Sequence, residues 1–335
     1  AGGAVGLLVG GILTQAINWH WIFFVNLPIG IATAALTIRV IPRDRGTGLG
    51  NGADVAGALL VTGAMMLSVF TIVKPAADDG WLAGRTLVSG AVSLALLAGF
   101  IIRQQTARNP LMPLRILASR NIAGANLIQL LSVAGMFGMF FLGSLYLRLV
   151  LGYSPLRIGL AFLPVTILMG TLSVRYTERI SARVGARTTL TTGLALIAAA
   201  LVLFTQAPVG GGYATHILPV TILMGTGAGL AFPALMTIAM TGITPADAGL
   251  ASGLVNTTAQ VGGALGLAVL ATVSAGRTST LTAHGHSVAD ALTGGYHLAF
   301  WIAAALVAAA IAVAAVTLRP LRHGPELSAT VVAET

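Results

Sequence analysis

The 335-residue chain contains no cysteine, which excludes disulfides, thiolate metal sites and cysteine nucleophiles. It is also poor in charge, because Asp, Glu, Lys and Arg together make up 8% of the residues, against about 25% in soluble domains. All eighteen Lys and Arg residues and all nine Asp and Glu residues fall between ten long apolar runs, and none lies inside a run. The runs are 1–17, 19–38, 55–73, 86–102, 121–145, 158–174, 188–206, 217–240, 248–274 and 297–318.

The length and the purity of these runs indicate a membrane protein. A bilayer core about 30 Å thick is crossed by about 20 apolar residues of helix, whereas a soluble helix of that length carries charge on its outward face. The chain is therefore predicted to be an all-α polytopic membrane protein with about ten transmembrane helices and the lipid bilayer as its surroundings. Its net charge of +9 does not indicate a nucleic-acid partner, because the cations are spread over short connectors and form no basic groove.

The distribution of cations predicts the orientation of the spans. Successive connectors lie on alternate sides of the membrane, and the side richer in Lys and Arg is normally cytoplasmic. One set of connectors and the tail carry Arg39, Arg43, Arg45, Arg103, Arg108, Arg115, Arg120, Arg175, Arg179, Arg183, Arg187, Arg319 and Arg322, whereas the other set carries Lys74, Arg85, Arg148, Arg157 and Arg277. We therefore expect both ends of this chain to be cytoplasmic. Abundant Ala, Gly and Arg with a single Lys indicates a bacterial source and hence the plasma (inner) membrane.

Two of the runs carry glycines at helical spacing. Residues three or four positions apart share a helix face, and small residues on such a face allow a neighbouring helix to approach closely. The two faces comprise Gly3, Gly6, Gly10 and Thr14 in the first run, and Gly249, Gly253, Asn256, Gln260 and Gly263 in the ninth. The shared pattern indicates two structurally repeated halves, an architecture of many secondary transporters. Tight packing alone is the alternative interpretation.

Uncharged polar side chains inside two spans are candidates for a substrate cavity. An amide group in hydrocarbon needs a hydrogen-bond partner, so a face that carries one points into the bundle or into a wet cavity. The candidates are Asn126, Gln129, Met136 and Phe140 in the fifth run, and Asn256 and Gln260 in the ninth. Methionine and aromatic neighbours suit varied amphipathic ligands, because Met adapts its shape. The alternative is that the same residues join neighbouring helices.

Several segments resemble one family of membrane transporters. The first run is similar to the Gly-x-x-x-Gly-Pro-x-x-Gly-Gly antiporter motif of the major facilitator superfamily at Gly2, Gly6, Gly10 and Gly11, with Leu7 in place of the usual proline. Residues 54–57, 109–114, 146–155, 184–187 and 251–266 resemble, in the same order, later segments of the fourteen-helix drug:proton antiporters.

The resemblance implies a division of the chain and an activity. The chain would be an N-terminally truncated fragment, helices five to fourteen of such an antiporter. Residues 1–40 are then the last two helices of the N-terminal bundle, 41–120 a linker region with two extra transmembrane helices, 121–318 a C-terminal six-helix bundle and 319–335 a cytoplasmic tail. The implied activity is secondary active efflux of amphipathic drugs or antibiotics in exchange for protons, by alternating access and without a cofactor. The family's proton-coupling carboxylate is expected in the absent helices; within this chain only Asp54 is a candidate, and its alternative role is to cap a helix.

Charged residues of the cytoplasmic connectors are candidates for a gate. We predict that Arg183 or Arg187 pairs with Asp247 when the inner gate is closed. The alternative is that Asp247 only stabilises the start of a helix, because Thr244-Pro245-Ala246-Asp247 is typical of a helix N-terminus.

Two other classes of function are alternatives to transport. A truncated, non-transporting membrane protein that acts as a sensor or binding partner is the main alternative. An intramembrane enzyme would need clustered acids or histidines at membrane depth, or a cytoplasmic catalytic loop, and the sequence shows neither. His284 and His286 alone do not indicate a metal site. The sequence does not predict an oligomeric state.

Overall fold

The computed structural model describes residues 2–40, 54–107, 109–112 and 114–318. These residues form helices and connectors, without a strand among them, because a chain in lipid must satisfy its backbone hydrogen bonds within each spanning segment. The helices are α1 (Gly2–Ala16), α2 (Trp21–Phe24), α3 (Asn26–Val40), α4 (Val55–Val73), α5 (Pro75–Asp78), α6 (Gly84–Thr106), α7 (Leu114–Leu117), α8 (Arg120–Leu145), α9 (Pro155–Thr171), α10 (Thr177–Val184), α11 (Ala186–Phe204), α12 (Leu218–Met240), α13 (Pro245–Ala283) and α14 (Val288–Thr317).

Nine helical segments of the described residues are long and apolar enough to cross a membrane. They are Trp21–Val40, Val55–Asp78, Gly84–Thr106, Arg120–Val150, Pro155–Val184, Ala186–Phe204, Tyr213–Met240, Asp247–Ala283 and Val288–Thr317. The remaining apolar run forms α1, whose 15 residues extend over about 22 Å. The predicted class, an all-α polytopic membrane protein, is therefore confirmed, with nine full-length spans and one shorter helix.

Six long helical segments pack into one bundle, which contains the largest buried core of the described residues. In this bundle α12 packs between α9 and α11, α8 packs between α13 and α14, and α14 also contacts α11. The end of the bundle that carries Arg115, Arg187 and Asp247 is called the inner end below. The opposite end, which carries Tyr146 and Pro208, is called the outer end.

Glycines allow the closest helix crossings of the bundle. A Cβ atom at Gly262 of α13 would lie 2.6 Å from the carbonyl oxygen of Leu130 in α8. A Cβ atom at Gly227 of α12 would lie 2.6 Å from the carbonyl oxygen of Gly193 in α11. Contacts with backbone atoms at such distances require glycine, because a backbone cannot move aside as a side chain can.

The predicted glycine faces coincide only in part with these crossings. No atom lies within 4 Å of the Cβ position at Gly6, Gly10, Gly249 or Gly253, whereas the position at Gly263 lies 3.1 Å from Phe137. Helical spacing places glycines on one face, but it does not determine whether that face meets a helix. The surroundings of Gly2 and Gly3 lie outside the described part of the chain.

A proline creates a polar link between α12 and the segment that follows α9. Pro233 lies inside α12, so the carbonyl group of Gly229, four residues earlier, has no intrahelical N–H donor. The hydroxyl of Thr177 donates to this carbonyl at 2.8 Å and that of Ser173 at 3.3 Å. Ser173 belongs to a π-helical turn, Leu172–Tyr176, and Thr177 begins α10, so these bonds join both elements to the middle of α12.

Two further parts of the structure, α1 and the pair of α4 and α6, contact this bundle. α1 lies against α9, and Gly11 allows the approach, since its Cβ position is 3.2 Å from the carbonyl oxygen of Pro155. α3 has no buried residue. α4 and α6 form a pair, joined by a 2.6 Å bond between the hydroxyls of Ser68 and Ser93. Within this pair, α4 is the helix that contacts α13.

Candidate functional site

The predicted polar residues of α8 lie inside the bundle. Asn126 and Gln129 are both buried. The side chain of Asn126 accepts a hydrogen bond from the Thr258 hydroxyl of α13 at 2.8 Å and donates to the carbonyl of Ile122 at 2.9 Å. In this structure Asn126 therefore joins two helices.

The aromatic and methionine candidates of α8 are only partly buried. Met136 and Phe140 pack against the core of the bundle. The ring of Phe140 lies 5.5 Å from the ring of Phe162 in α9, centroid to centroid. Met136 and Phe140 therefore border the core near α9.

The predicted polar residues of α13 face away from the described bundle. Asn256 and Gln260 are both exposed. Asn256 donates only to its own helix, to the carbonyl of Ser252 at 3.0 Å. Their positions along α13 are about 17 Å and about 23 Å from the start of that helix, so both lie well inside the segment Asp247–Ala283 that is long and apolar enough to cross a membrane. Of the six candidate cavity residues, the four of α8 thus lie in or beside the core of the bundle. The other two, Asn256 and Gln260, form an exposed surface that is called the open face of α13 below.

The predicted gate residues are not brought together in the predicted way. Asp247 pairs with Arg115, whose Nη2 lies 2.9 Å from its Oδ1, and it pairs with neither Arg183 nor Arg187. Arg187 donates instead to the carbonyl of Ala315 at the end of α14, at 2.6 Å. Arg183 and Arg187 line a cavity of about 800 Å³ between α10, α11 and α12.

Asp247 also serves the start of its own helix. It lies in the first turn of α13, which follows Thr244, where a negative charge is favourable to the helix dipole. The hydroxyl of Thr244 donates to Oδ2 of Asp247 at 3.1 Å. The predicted helix-terminal role and an ion pair with another connector therefore occur together. The sequence did not identify Arg115 as the partner of Asp247, because every arginine on that side lies in a short connector between apolar runs and none is distinguished by its neighbours.

Asp54 is the centre of a polar cluster at the inner end of α4. It caps this helix by accepting from the backbone N–H of Gly57 at 2.9 Å, as predicted for a capping residue. Its carboxylate also accepts from Nε of Arg103 at 2.9 Å and from Nε2 of Gln104 at 3.0 Å. Arg103 and Gln104 lie about 50 positions later in the sequence, and sequence reasoning missed both.

These donors keep the Asp54 carboxyl ionised. The backbone N–H of Gly57 is the largest influence and lowers the pKa of the carboxyl below its usual value, with Arg103 and Gln104 acting in the same direction against the effect of burial. A proton carrier needs a pKa close to the working pH. Asp54 therefore has the properties of a structural anion, in line with its predicted capping role.

The antiporter-motif glycines have different surroundings. Gly11 meets the start of α9, as described above. Gly6 and Gly10 border a cavity of about 490 Å³ between α1 and the α2–α3 segment. Gly2 is the first residue of α1.

The charges of the described residues lie at the two ends of the helices. Ion pairs join Lys74 to Asp78 and Arg85 to Asp79 at the outer end. The predicted cytoplasmic cations Arg43, Arg45, Arg108, Arg319 and Arg322 lie outside the described residues. In the described part of the chain, no three His, Asp or Glu residues are grouped so as to hold a metal ion.

Comparison with known proteins gives the family. The model of the Major Facilitator Superfamily matches residues 1–267. The puromycin resistance protein pur8 of Streptomyces alboniger is 36% identical over 322 residues, which are 93% of this chain and 63% of that protein. The cephamycin export protein CmcT of Amycolatopsis lactamdurans is 35% identical over 283 residues, 83% of this chain and 57% of that protein.

A third relative extends the same pattern. The tetracenomycin C resistance and export protein of Streptomyces glaucescens is 32% identical over 277 residues, 82% of this chain and 50% of that protein. The chain thus spans between half and two thirds of the length of these relatives. Its helices and this similarity identify an integral multi-pass membrane protein, and the chain belongs to the Major Facilitator Superfamily.

Proposed function

We propose that residues 1–335 are part of a secondary active efflux transporter that exports amphipathic drugs or antibiotics in exchange for protons by alternating access. The three relatives described above are named for resistance or export, which supports this activity. The proposed location is the plasma (inner) membrane, with both ends of this chain in the cytoplasm. The division into residues 1–40, 41–120, 121–318 and 319–335 is part of the same proposal.

The open face of α13 is the observation that carries the proposal. Asn256 and Gln260 are exposed within a membrane-spanning segment, and an amide group in contact with hydrocarbon is costly. The face is therefore expected to border water or another polar surface inside the membrane. A transport pathway for amphipathic compounds needs such a face, uncharged and able to form hydrogen bonds. The partly buried Met136 and Phe140 would supply apolar contacts, and Gln129 a further amide.

The contact between Arg115 and Asp247 is the proposed inner gate, in place of the contact first predicted from the sequence. It connects the segment before α8 with the start of α13, so it must change if these two helices separate at the inner end. Arg183 and Arg187 are proposed to act in the same region from the cavity that they line. None of the described residues is proposed as the proton carrier, since Asp54 is held ionised.

Proton-driven efflux tests the proposal. A polypeptide that contains residues 1–335 is expressed in cells, and the export of a fluorescent amphipathic cation is followed with and without a protonophore. Asn256→Ala and Gln260→Ala are expected to lower the export rate severalfold, because each removes a polar contact in the pathway. Gln105→Ala is the matched control, since Gln105 is an exposed amide at the inner end of α6, and it should leave export unchanged.

Two results would contradict the proposal. Export that does not respond to the protonophore would exclude proton exchange. Specific binding of the compound without export, in a polypeptide that is folded and inserted, would favour the sensor or binding-partner alternative.

A further inference from the structure

Two contacts of the connector between α6 and α8 involve residues that the structure describes, within 109–112 and 114–119. The first is made by Gln104, at the inner end of α6. Its Oε1 accepts a hydrogen bond from the backbone N–H of Met112 at 2.9 Å, while its Nε2 donates to Asp54 at 3.0 Å. One side chain therefore joins the connector to α6 and, through Asp54, to the start of α4.

This first anchor is tightly enclosed. Gln104 and Asp54 are 3% and 6% exposed. Gly57 packs directly over them, because a Cβ atom at that position would touch the Asp54 carboxylate and lie 2.7 Å from Nε2 of Gln104. The Gln104 amide is buried with its N–H and its C=O each in a hydrogen bond, so breaking either bond would leave a polar group without a partner. The position of Met112 is thereby tied to the α4/α6 pair.

The second anchor is the pair between Arg115 and Asp247, three residues further along the connector. It joins the connector to the first turn of α13 with a contact of 2.9 Å. The residues around it enclose a cavity of about 220 Å³, whose wall includes Ile116 and Ile122. Ile122, in the first turns of α8, is only 4% exposed. Residues 115–119 of the connector thus lie beside the first turns of α8 at this cavity.

We propose that residues 109–112 and 114–119 act as a strap that ties the α4/α6 pair to the inner end of α13. Met112 and Arg115 are three positions apart in the sequence, so a displacement at one anchor displaces the other, and release of either anchor uncovers the inner end of α8. With the proposed efflux function, on which this consequence rests, the strap would restrain the inner gate, and the α4/α6 pair would set how readily that gate opens.

Thiol labelling tests the strap, because the chain has no native cysteine. Ile122→Cys is the reporter beneath the strap, and Ala291→Cys, buried at the outer end of α14, is the reference for global unfolding. The labelling rate of each is measured with a water-soluble maleimide in lipid nanodiscs, without substrate or proton gradient. Because this measurement needs no transport, a protein that shows the expected labelling rates but does not export drugs would contradict the proposed function and still support the strap.

Both anchors are expected to control the reporter. Arg115→Gln should raise the labelling rate of Ile122→Cys about two- to fivefold, the range expected from loss of an exposed ion pair. Gln104→Met, which keeps the length of the side chain and removes both hydrogen bonds, should raise it by a similar factor although Gln104 contacts neither Arg115 nor Asp247. The combination should add little to either change. Arg120→Gln and Gln105→Met, two exposed neighbours, are the matched controls and should have no effect.

The strap is refuted if Arg115→Gln leaves the reporter unchanged, or if Gln104→Met does so while Arg115→Gln raises the rate. If Gln104→Met also alters the Ala291→Cys reference, Met112→Pro takes its place, because it removes the backbone donor of the first anchor and leaves the bond between Gln104 and Asp54 in place. An unchanged reporter in Met112→Pro then overturns the proposal, and a raised rate supports it.

Discussion

The crossing of α8 and α13 gives the sharpest test of the packing. Gly262 lies where a Cβ atom would be 2.6 Å from the carbonyl oxygen and 2.9 Å from Cα of Leu130. Ordinary contacts between carbon atoms are about 3.5–4.0 Å, so Gly262→Ala must move the two helices apart by at least about 0.6 Å. Overpacking of this kind costs about 1–3 kcal/mol, and the upper part of that range applies here because the obstructing atoms are backbone.

A substitution of the same type in the same helix is the control. Gly253 has no atom within 4 Å of its Cβ position, so Gly253→Ala should change the free energy of unfolding by less than about 0.5 kcal/mol. Both variants are purified in mild detergent and unfolded by titration with a denaturing detergent. Because spanning segments stay helical in both states, the difference reports packing and not helix propensity. Equal stability of the two variants would refute the described crossing of α8 and α13.

Three further predictions concern polar contacts. Thr177→Val removes the shorter of two bonds to the Gly229 carbonyl that Pro233 leaves without a donor, and should lower the free energy of unfolding by about 0.6–1.7 kcal/mol, whereas Thr188→Val, at an exposed position, should not. Ser93→Ala removes the hydroxyl link between α4 and α6 and should cost a similar amount in the same titration. Ser89→Ala is the control, because the Ser89 hydroxyl donates to carbonyls of its own helix. The pKa of the Asp54 carboxyl is lowered in the folded protein, so its contribution to the free energy of unfolding is complete above the unfolded pKa of about 3.9 and is lost as the pH falls through the lower folded pKa. Asp54 should therefore cause no change in the free energy of unfolding between pH 7 and pH 5. Asp54→Asn should lower the free energy of unfolding at pH 7 and make it fall less in acid.

Much of the fold can be predicted from the sequence, because a chain that crosses lipid can adopt few backbone conformations. A run such as 297–318, without a charge, must satisfy its backbone bonds internally, and it forms part of α14. The capping role of Asp54 was also accessible, since the signal lies within four residues. Local chemistry of this kind does not depend on which helices become neighbours.

Contacts between distant residues were not accessible in the same way. The spacing of Gly249 and Gly253 predicted a packed face, yet α8 meets α13 at Gly262 and Gly266. Asp247 was assigned to Arg183 or Arg187 because all inner arginines are equivalent in a charge count, whereas the fold places Arg115 next to it. Gln104 gave no signal at all, since its role depends on two partners, Asp54 and Met112, that only the packing of α4 on α6 brings together.

The reactivity of a cysteine at position 260 tests the central claim, that the open face of α13 borders an aqueous pathway inside the membrane. Gln260→Cys is compared with Ala305→Cys, an exposed position in the middle of α14 with apolar surroundings, by labelling with a charged, membrane-impermeant thiol reagent in nanodiscs. The account predicts that Gln260→Cys reacts readily and is protected by an amphipathic cationic drug, whereas Ala305→Cys stays unreactive. If Gln260→Cys were as inert as Ala305→Cys, or were labelled equally with and without the drug, the proposed pathway would be contradicted.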